Sequence, residues 1–523
     1  MKRYMLSVTV FLLALCMPLM ATAPREKVEA GAEETITLTW FMGAPSATQL
    51  KDRNEMAAFQ EIEKQTGVHI EWQQPAVGAF DEQFTLILAS GELPDLLSGD
   101  WATIPGGPQR YIDDKIIIPL NDYAAYMTNY QKYLNLNQEI KKTVSTTAGK
   151  IYVFPFITEP AIKNGYYGLM IRKEWLDRLD LDIPKTVIEW YDILKAFRDR
   201  DANGNGDPND ELPFLSRFSR TGLDFFCGSF GVMGNFFEAA DHSVKFGPIE
   251  EGYRQWLATM AKWYQEGLID PDFPTNGSKR SDALFLDDKA GAVGEFVTRT
   301  QGRLMDLGRE KYESYTWVAT PWPIGPAGKK LLSWRGDGRL FWTGGVTVTT
   351  ACKTPDRAVK YLDFFFSEKG NRLLNFGVEG VTYNIVNGEP KFTNLITNNP
   401  DGYSLAEART IFIPATDDPL GVEVKEAFFQ FLTYPEQIEG MEIWADNDGV
   451  LGLPQVALAD EDAQKVSKIM GDINTYVSEN VSKFIMGEKP LSEFNDYVST
   501  IRKMGIDDAI AVYQAAVKEF NAR

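Results

Sequence analysis

The chain has 523 residues, 44% of them hydrophobic and 24% charged. That is too long for one hydrophobic core and predicts about two to four domains of an ordinary globular protein. With 53 Lys and Arg against 73 Asp and Glu the formal net charge is −20, which excludes a nucleic-acid role that needs a basic surface.

In chain order, the opening "MKRYMLSVTVFLLALCMPLMATAPREK" sets Lys2 and Arg3 before an apolar run and then small residues. This is the order of a secretory signal over residues 1–23. An uncleaved anchor over residues 4–23 is the rival, weakened by Ser7, Thr9 and Pro18. Two processing routes stay open. Ala21-Thr22-Ala23 fits a small-x-small cleavage site, although Pro24 is a poor successor. Leu13-Ala14-Leu15-Cys16 resembles a lipoprotein box, in which residues 1–15 are removed and Cys16 carries a lipid, although Leu15 is larger than that box prefers. Residues 24–34 read as a polar tether.

Residues 35–41, "TITLTWF", alternate as a strand does. Residues 52–67 then place Met56, Phe59 and Ile62 on one helical face, with Gly67 as the stop. "VHIEW" is a second strand, and "FTLILASGELPDLLSGD" is a helix, a break and a short strand ending near Asp100 and Trp101. This β-α-β order predicts an α/β fold with a parallel sheet and covering helices. Thr186 and Glu189 form a capping box, and Trp190, Ile193, Leu194 and Phe197 follow at helical spacing. Thr354 and Pro355 start another helix, and from Asp460 onward the pattern is mostly helical. Cys227 and Cys352 either pair in an oxidising compartment or sit as two separate buried thiols.

Between these helices lies "DRDANGNGDPNDELP", residues 199–213. Alternate carboxylate and amide oxygens in a glycine-punctuated turn are the ligand type of calcium. A solvated Asn/Gly turn is the alternative. Registers starting at Asp199 and at Asp201 both fit, and Pro213 argues against the second helix of a standard EF-hand.

Three longer stretches carry a resemblance. They are "LMIRKEWLDRLDLDIPKTVIEWYDILKAFRDRD", "YRQWLATMAKWYQEGLIDPDF", and "DRAVKYLDFFFSEKG" followed by "NFGVEGVTYNIVNGEP". In order and spacing the chain resembles the bacterial extracellular solute-binding proteins of family 1, of the oligosaccharide- and alginate-binding lipoprotein type that serves ABC importers. The resemblance implies a two-lobed periplasmic-binding-protein fold of type II, with a hinge and an interlobe cleft. On that reading the first lobe is residues 35–157 plus 347–384, and the second 158–346 plus 385–523. It also implies a structural calcium ion at Asp201, Asn203, Asn205, Asp207, Asp210 and Glu211, although the acidic pair comes one residue late. The implied partners are a carbohydrate and the importer's permease, with the chain a monomer outside the cytoplasm, periplasmic or at the cell surface, and attached to a membrane only through the lipid on Cys16.

A sugar site pairs flat aromatic rings with fixed polar groups. Loop and strand-end positions single out Asp100, Trp101, Glu159, Trp322, Trp334, Trp342 and Trp444 as ligand-binding candidates. Each of these tryptophans also has a core reading, and at least two are expected to line the cleft. Trp175, Trp190, Trp256 and Trp263 lie on helical stripes and are assigned to the core. The rival class is a secreted glycoside hydrolase or polysaccharide lyase. His69 and His242 are the only histidines, neither lies in a nucleophile or zinc motif, and His69 reads as structural, so the expectation is a non-enzyme. A peptide or other small solute is the alternative ligand, because fold does not fix ligand.

Overall fold

The alternation at the start becomes a strand, Ile36–Phe41, which runs parallel to Val68–Gln73 on one side and to Leu96–Gly99 on the other. The intervening helix Ala57–Thr66 buries Ala58, Phe59 and Ile62 and ends on Gly67, whose φ of 64° is the left-handed conformation that glycine adopts without cost. The computed structural model describes residues 34–44, 50, 52–76, 78–216, 222–333, 341–416 and 420–523, and at residues 341–343 and 416 it describes the backbone alone. Residues 36–523 form one unit by their internal contacts and 1–35 another.

The larger unit holds two main sheets. The first has six strands, in the spatial order Gly421–Glu423, Phe154–Thr158, Phe341–Val348, Leu96–Gly99, Ile36–Phe41, Val68–Gln73. Phe341–Val348 is antiparallel to both neighbours. Gly421–Glu423 is parallel to Phe154–Thr158. Five strands therefore point one way and a single inserted strand points back. Trp40, one strand in from the Val68–Gln73 edge, is fully buried, and its indole N–H donates to Ser98 Oγ at 2.8 Å.

The second sheet has four strands, in the order Trp317–Ala319, Tyr167–Arg172, Ala290–Phe296, Leu212–Leu215. Helix Val187–Asp199 packs beside it with Trp190, Ile193, Leu194 and Phe197 buried. Its first turn carries the predicted reciprocal cap between Thr186 and Glu189. Strand Leu212–Leu215, not a helix, follows the acidic loop. The chain ends in helices Asp460–Met486, Phe494–Lys503 and Ile506–Ala522. Among the described residues no helix is long and apolar enough to cross a membrane.

Each sheet has its own hydrophobic core. The first gathers side chains from Leu38 to Ile157 and again from Val346 to Val422. The second gathers Ile162 to Leu332 and Phe428 to Val517, with Trp175, Trp190, Trp256 and Trp263 all buried in it. The first core runs past Asn384, where the sequence reading ended it. Ile396, Ile413, Leu420 and Val422 belong to it, because Gly421–Glu423 returns to pair with Phe154–Thr158.

Trp444 anchors the second core. It is fully buried, its indole N–H donates to the Thr320 carbonyl at 3.1 Å, and a methyl group on Gly168 would sit 2.1 Å from its ring. Truncation to Trp444→Ala is expected to cost about 3–5 kcal/mol, and Gly168→Ala about 1–3 kcal/mol through overpacking. Urea unfolding followed by circular dichroism reads both.

Candidate functional site

Because five strands of the first sheet point the same way, their carboxyl ends share one edge. In open α/β sheets this edge is where ligands are held. It brings together Gly99–Asp100, Thr158–Glu159 and Glu423–Val424, joined by the start of the reversed strand Phe341–Val348. Asp100 is exposed there. Glu159 is half-buried, its Oε2 accepts the Lys425 backbone N–H at 2.9 Å, and its own N–H donates to the Glu423 carbonyl. Trp342 follows Phe341, which pairs with Ile157, so its backbone lies at the same edge. The Trp342 side chain, all of Trp334, and Cys16 lie outside the described residues.

The other three tryptophan candidates are core residues, which corrects the sequence reading. Trp101 is 1% exposed and its indole N–H is taken by the Leu97 carbonyl at 3.1 Å. Trp322 is equally buried and donates to the Trp444 carbonyl at 2.8 Å. With rings enclosed and N–H groups satisfied by backbone, none of the three, Trp444 included, offers a face to a ligand.

Beyond the edge lies a cavity of about 670 Å³ between the two cores. Tyr133, Asn137, Lys142 and Glu159 line it from the first core's side, and Glu238 and Asn521 from the second's. A cavity of about 440 Å³ shares Leu453 and Pro454 with it, and one of about 780 Å³ shares Glu238 and Gly452, so the three adjoin as one long groove. Burial, and then the nearby Glu159 charge, push the Tyr133 phenol up to about 12, which keeps it a neutral hydroxyl. Glu238 Oε1 meets the His242 ring nitrogen at 2.6 Å and accepts from the Asn521 amide at 3.0 Å. His69 is paired with Glu63 at 2.9 Å in a strand, which suits its structural reading.

Tyr133, Asn137, Lys142, Glu238 and Asn521 were not singled out from sequence. They come from helices Thr128–Leu136, Gln138–Thr143 and Ile506–Ala522, the junction between the first two, and strand Phe236–Glu238, and only the tertiary fold brings them to one groove. The same seam carries direct contacts. Arg110 pairs with Asp460, Thr147 bonds Glu519, and Arg523 donates to the Ser145 carbonyl at 2.7 Å. Where the chain passes between cores at Thr158–Glu159 and Glu423–Lys425, Glu423 is buried. Burial raises its carboxyl above the usual range and the Arg409 ion pair at 2.7 Å opposes that rise.

The acidic loop lies against the second core. Asp201 accepts the backbone N–H groups of Asn205 at 3.0 Å and Gly206 at 2.9 Å. Asn203 Oδ1 accepts from Asn205 N–H, and Asn205 Oδ1 from Asp207 N–H. Asp207 accepts from Asn209, and Asp210 accepts the side-chain amides of Asn203 and Asn205 at 3.1 Å. Glu211 Oε1 accepts from Ala202 N–H at 2.8 Å, while its Oε2 is buried with no partner. Burial raises the Glu211 carboxyl above its ordinary value. Asp199 turns away to Arg198 at 2.7 Å, and the side chains that accept within the turn begin at Asp201. Among the described residues no three His, Cys, Asp or Glu side chains converge as a metal cluster; this loop's oxygens include the amides of Asn203 and Asn205.

Cys227 lies in the second core and Cys352 in the first, and no disulfide joins them. Burial pushes the Cys352 thiol up to about 11. In the native protein both thiols are expected to resist alkylation and to react after denaturation. Mass-spectrometric labelling at the two sites is the check.

The profile of the bacterial extracellular solute-binding proteins matches residues 47–372. The fructooligosaccharide ABC transporter substrate-binding protein FusA of Streptococcus pneumoniae is 27% identical, over 96% of this chain and 94% of FusA. The polygalacturonan/rhamnogalacturonan-binding protein YtcQ of Bacillus subtilis is 25% identical, over 94% and 93%. Among solved structures, alginate-binding protein AlgQ2 without calcium ion superposes with a TM-score of 0.70 at 22% identity, covering 93% of this chain and 99% of that one. An EF-hand mutant of Streptococcus pneumoniae FusA in complex with fructo-nystose gives 0.71 at 24%, covering 93% and 100%.

Proposed function

This chain belongs to the bacterial extracellular solute-binding protein family, and we propose that it holds an oligosaccharide in the groove between its two cores and delivers it to the permease of an ABC importer. The family is one of binding proteins, so the chain is not an enzyme. The observation that carries the proposal is the long groove that takes in the strand end Ile157–Glu159 and is lined by amides, a neutral phenol and fixed carboxylates. Such groups exchange hydrogen bonds with sugar hydroxyls. FusA and YtcQ, matched along nearly their whole length, are named for carbohydrate ligands.

Two lobes correspond to the two cores, the first closing with the return strand Gly421–Glu423. Ligand bound between them favours the closed arrangement, and a shift from 1:99 to 99:1 takes about 5.5 kcal/mol of differential affinity. Arg110–Asp460 and Arg523–Ser145 are contacts that closure makes. The chain acts as a monomer, and a lipid on Cys16 tethers it outside the cell.

The acidic loop fits calcium. Asp201, Asn203, Asn205 and Asp210 carry oxygens around the turn, and the orphaned Glu211 Oε2 is a buried acceptor in want of a cation. Bound there, the ion supplies positive charge that offsets these carboxylates and fixes the end of helix Val187–Asp199 to strand Leu212–Leu215. Its role is structural.

Titration of the mature protein with oligosaccharide pools is expected to give a saturable tryptophan-fluorescence change and a raised melting temperature, with ligand recovered intact by mass spectrometry. Release of reducing ends or unsaturated products would overturn the binder. Chelation with EDTA is expected to lower the melting temperature by several degrees. Calcium, and not magnesium, restores it, because magnesium keeps its own water and demands octahedral geometry. An unchanged melting temperature would refute the metal.

A further inference from the structure

Oligosaccharides divide into uncharged chains and those bearing uronate carboxylates, and the groove distinguishes them. Glu159 is fixed in its wall by the Lys425 backbone N–H, which takes Oε2 alone. Glu238 is held on Oε1 by His242 and Asn521, with its side chain only 19% exposed. Each carboxylate keeps a second oxygen as an acceptor, and each lines the 670 Å³ cavity. A sugar hydroxyl donates to such an oxygen. A uronate carboxylate has no proton to give and is repelled by it.

The cations in the lining do not reverse this. Lys142 and Lys163 line the same cavity and Lys518 the adjoining one. A lysine ammonium is a point charge on a flexible stem, whereas carboxylate recognition along a chain of uronates favours the rigid guanidinium fork. No arginine lines any of the three adjoining cavities among the described residues. The remaining polar lining is largely amide, including Asn137, Gln138, Asn164 and Asn521. Amides and a neutral Tyr133 suit hydroxyls in either hydrogen-bonding sense.

We propose that the groove selects uncharged oligosaccharides over uronate-bearing ones, with Glu159 and Glu238 as the specificity-determining acceptors. This rests on the carbohydrate reading of the same groove. The test titrates the full mature protein with five neutral pools (fructo-, gluco-, galacto-, manno- and xylo-oligosaccharides) and three acidic ones (oligogalacturonates, aldouronates and alginate oligomers). Tryptophan fluorescence and thermal shift are read in parallel. The best neutral pool is expected to bind at least about tenfold more tightly than the best acidic one. In Glu159→Gln and Glu238→Gln, each confirmed folded by circular dichroism, that ratio is expected to fall several-fold. Equal or tighter binding of an acidic pool overturns the selectivity while leaving the carbohydrate reading intact. A neutral preference unmoved in both variants overturns the role of the two carboxylates. Silence from every pool overturns the carbohydrate reading itself, and this inference with it.

Discussion

Among the described residues, most buried apolar side chains are sealed into two cores that do not merge, one on each sheet. A single core does not keep growing with chain length, because surface and volume scale differently. The result is a seam wherever the two bodies meet. Amide, phenol and charge stand there among apolar side chains such as Ile157, Leu453 and Phe520. The groove is a by-product of that partition, placed by strand direction. Parallel pairing puts Asp100, Glu159 and Glu423 at one edge, and the groove opens where that edge meets the second core.

The acidic loop and the second core are tied through one buried cation. Asn203 donates to the Asp288 carbonyl at 3.2 Å, and Asp288 and Glu174 flank Arg172, which lies 4.0 Å from the Tyr315 ring centre and also stacks over Trp175 and Trp317. A buried guanidinium is tolerable only with such charge and ring partners. The turn is therefore held from the core side by the same network that fills the core, which is how a short loop keeps a defined shape.

Much of the fold was legible because local signals agreed with tertiary ones. Gly67 ended its helix, Thr186 and Glu189 capped theirs, and the four helical-stripe tryptophans are buried. The strand-end positions of Asp100 and Glu159 were legible because a strand's end can be read from alternation and a break. The loop tryptophans misled for a physical reason. Gly- and Pro-rich sequence indicates irregular backbone, not exposure, and Trp322 finds its acceptor on the segment of Trp444, more than a hundred residues away. Strand Gly421–Glu423 has three residues, too few for a period to show. Glu238, Asn521 and Tyr133 had no signal at all, since a groove assembled from distant segments leaves no local pattern.

The reversed strand Phe341–Val348 sits between Phe154–Thr158 and Leu96–Gly99, in the middle of the first sheet. During synthesis the amino-terminal half therefore emerges with a gap in its sheet that no nearby segment fills. The gap closes only after the entire second sheet has been made, and the edge strand arrives later still. Such long-range pairing makes folding slow. For a polypeptide that belongs to an extracellular family, this order leaves the first sheet as the part that stays incomplete until most of the chain has left the ribosome.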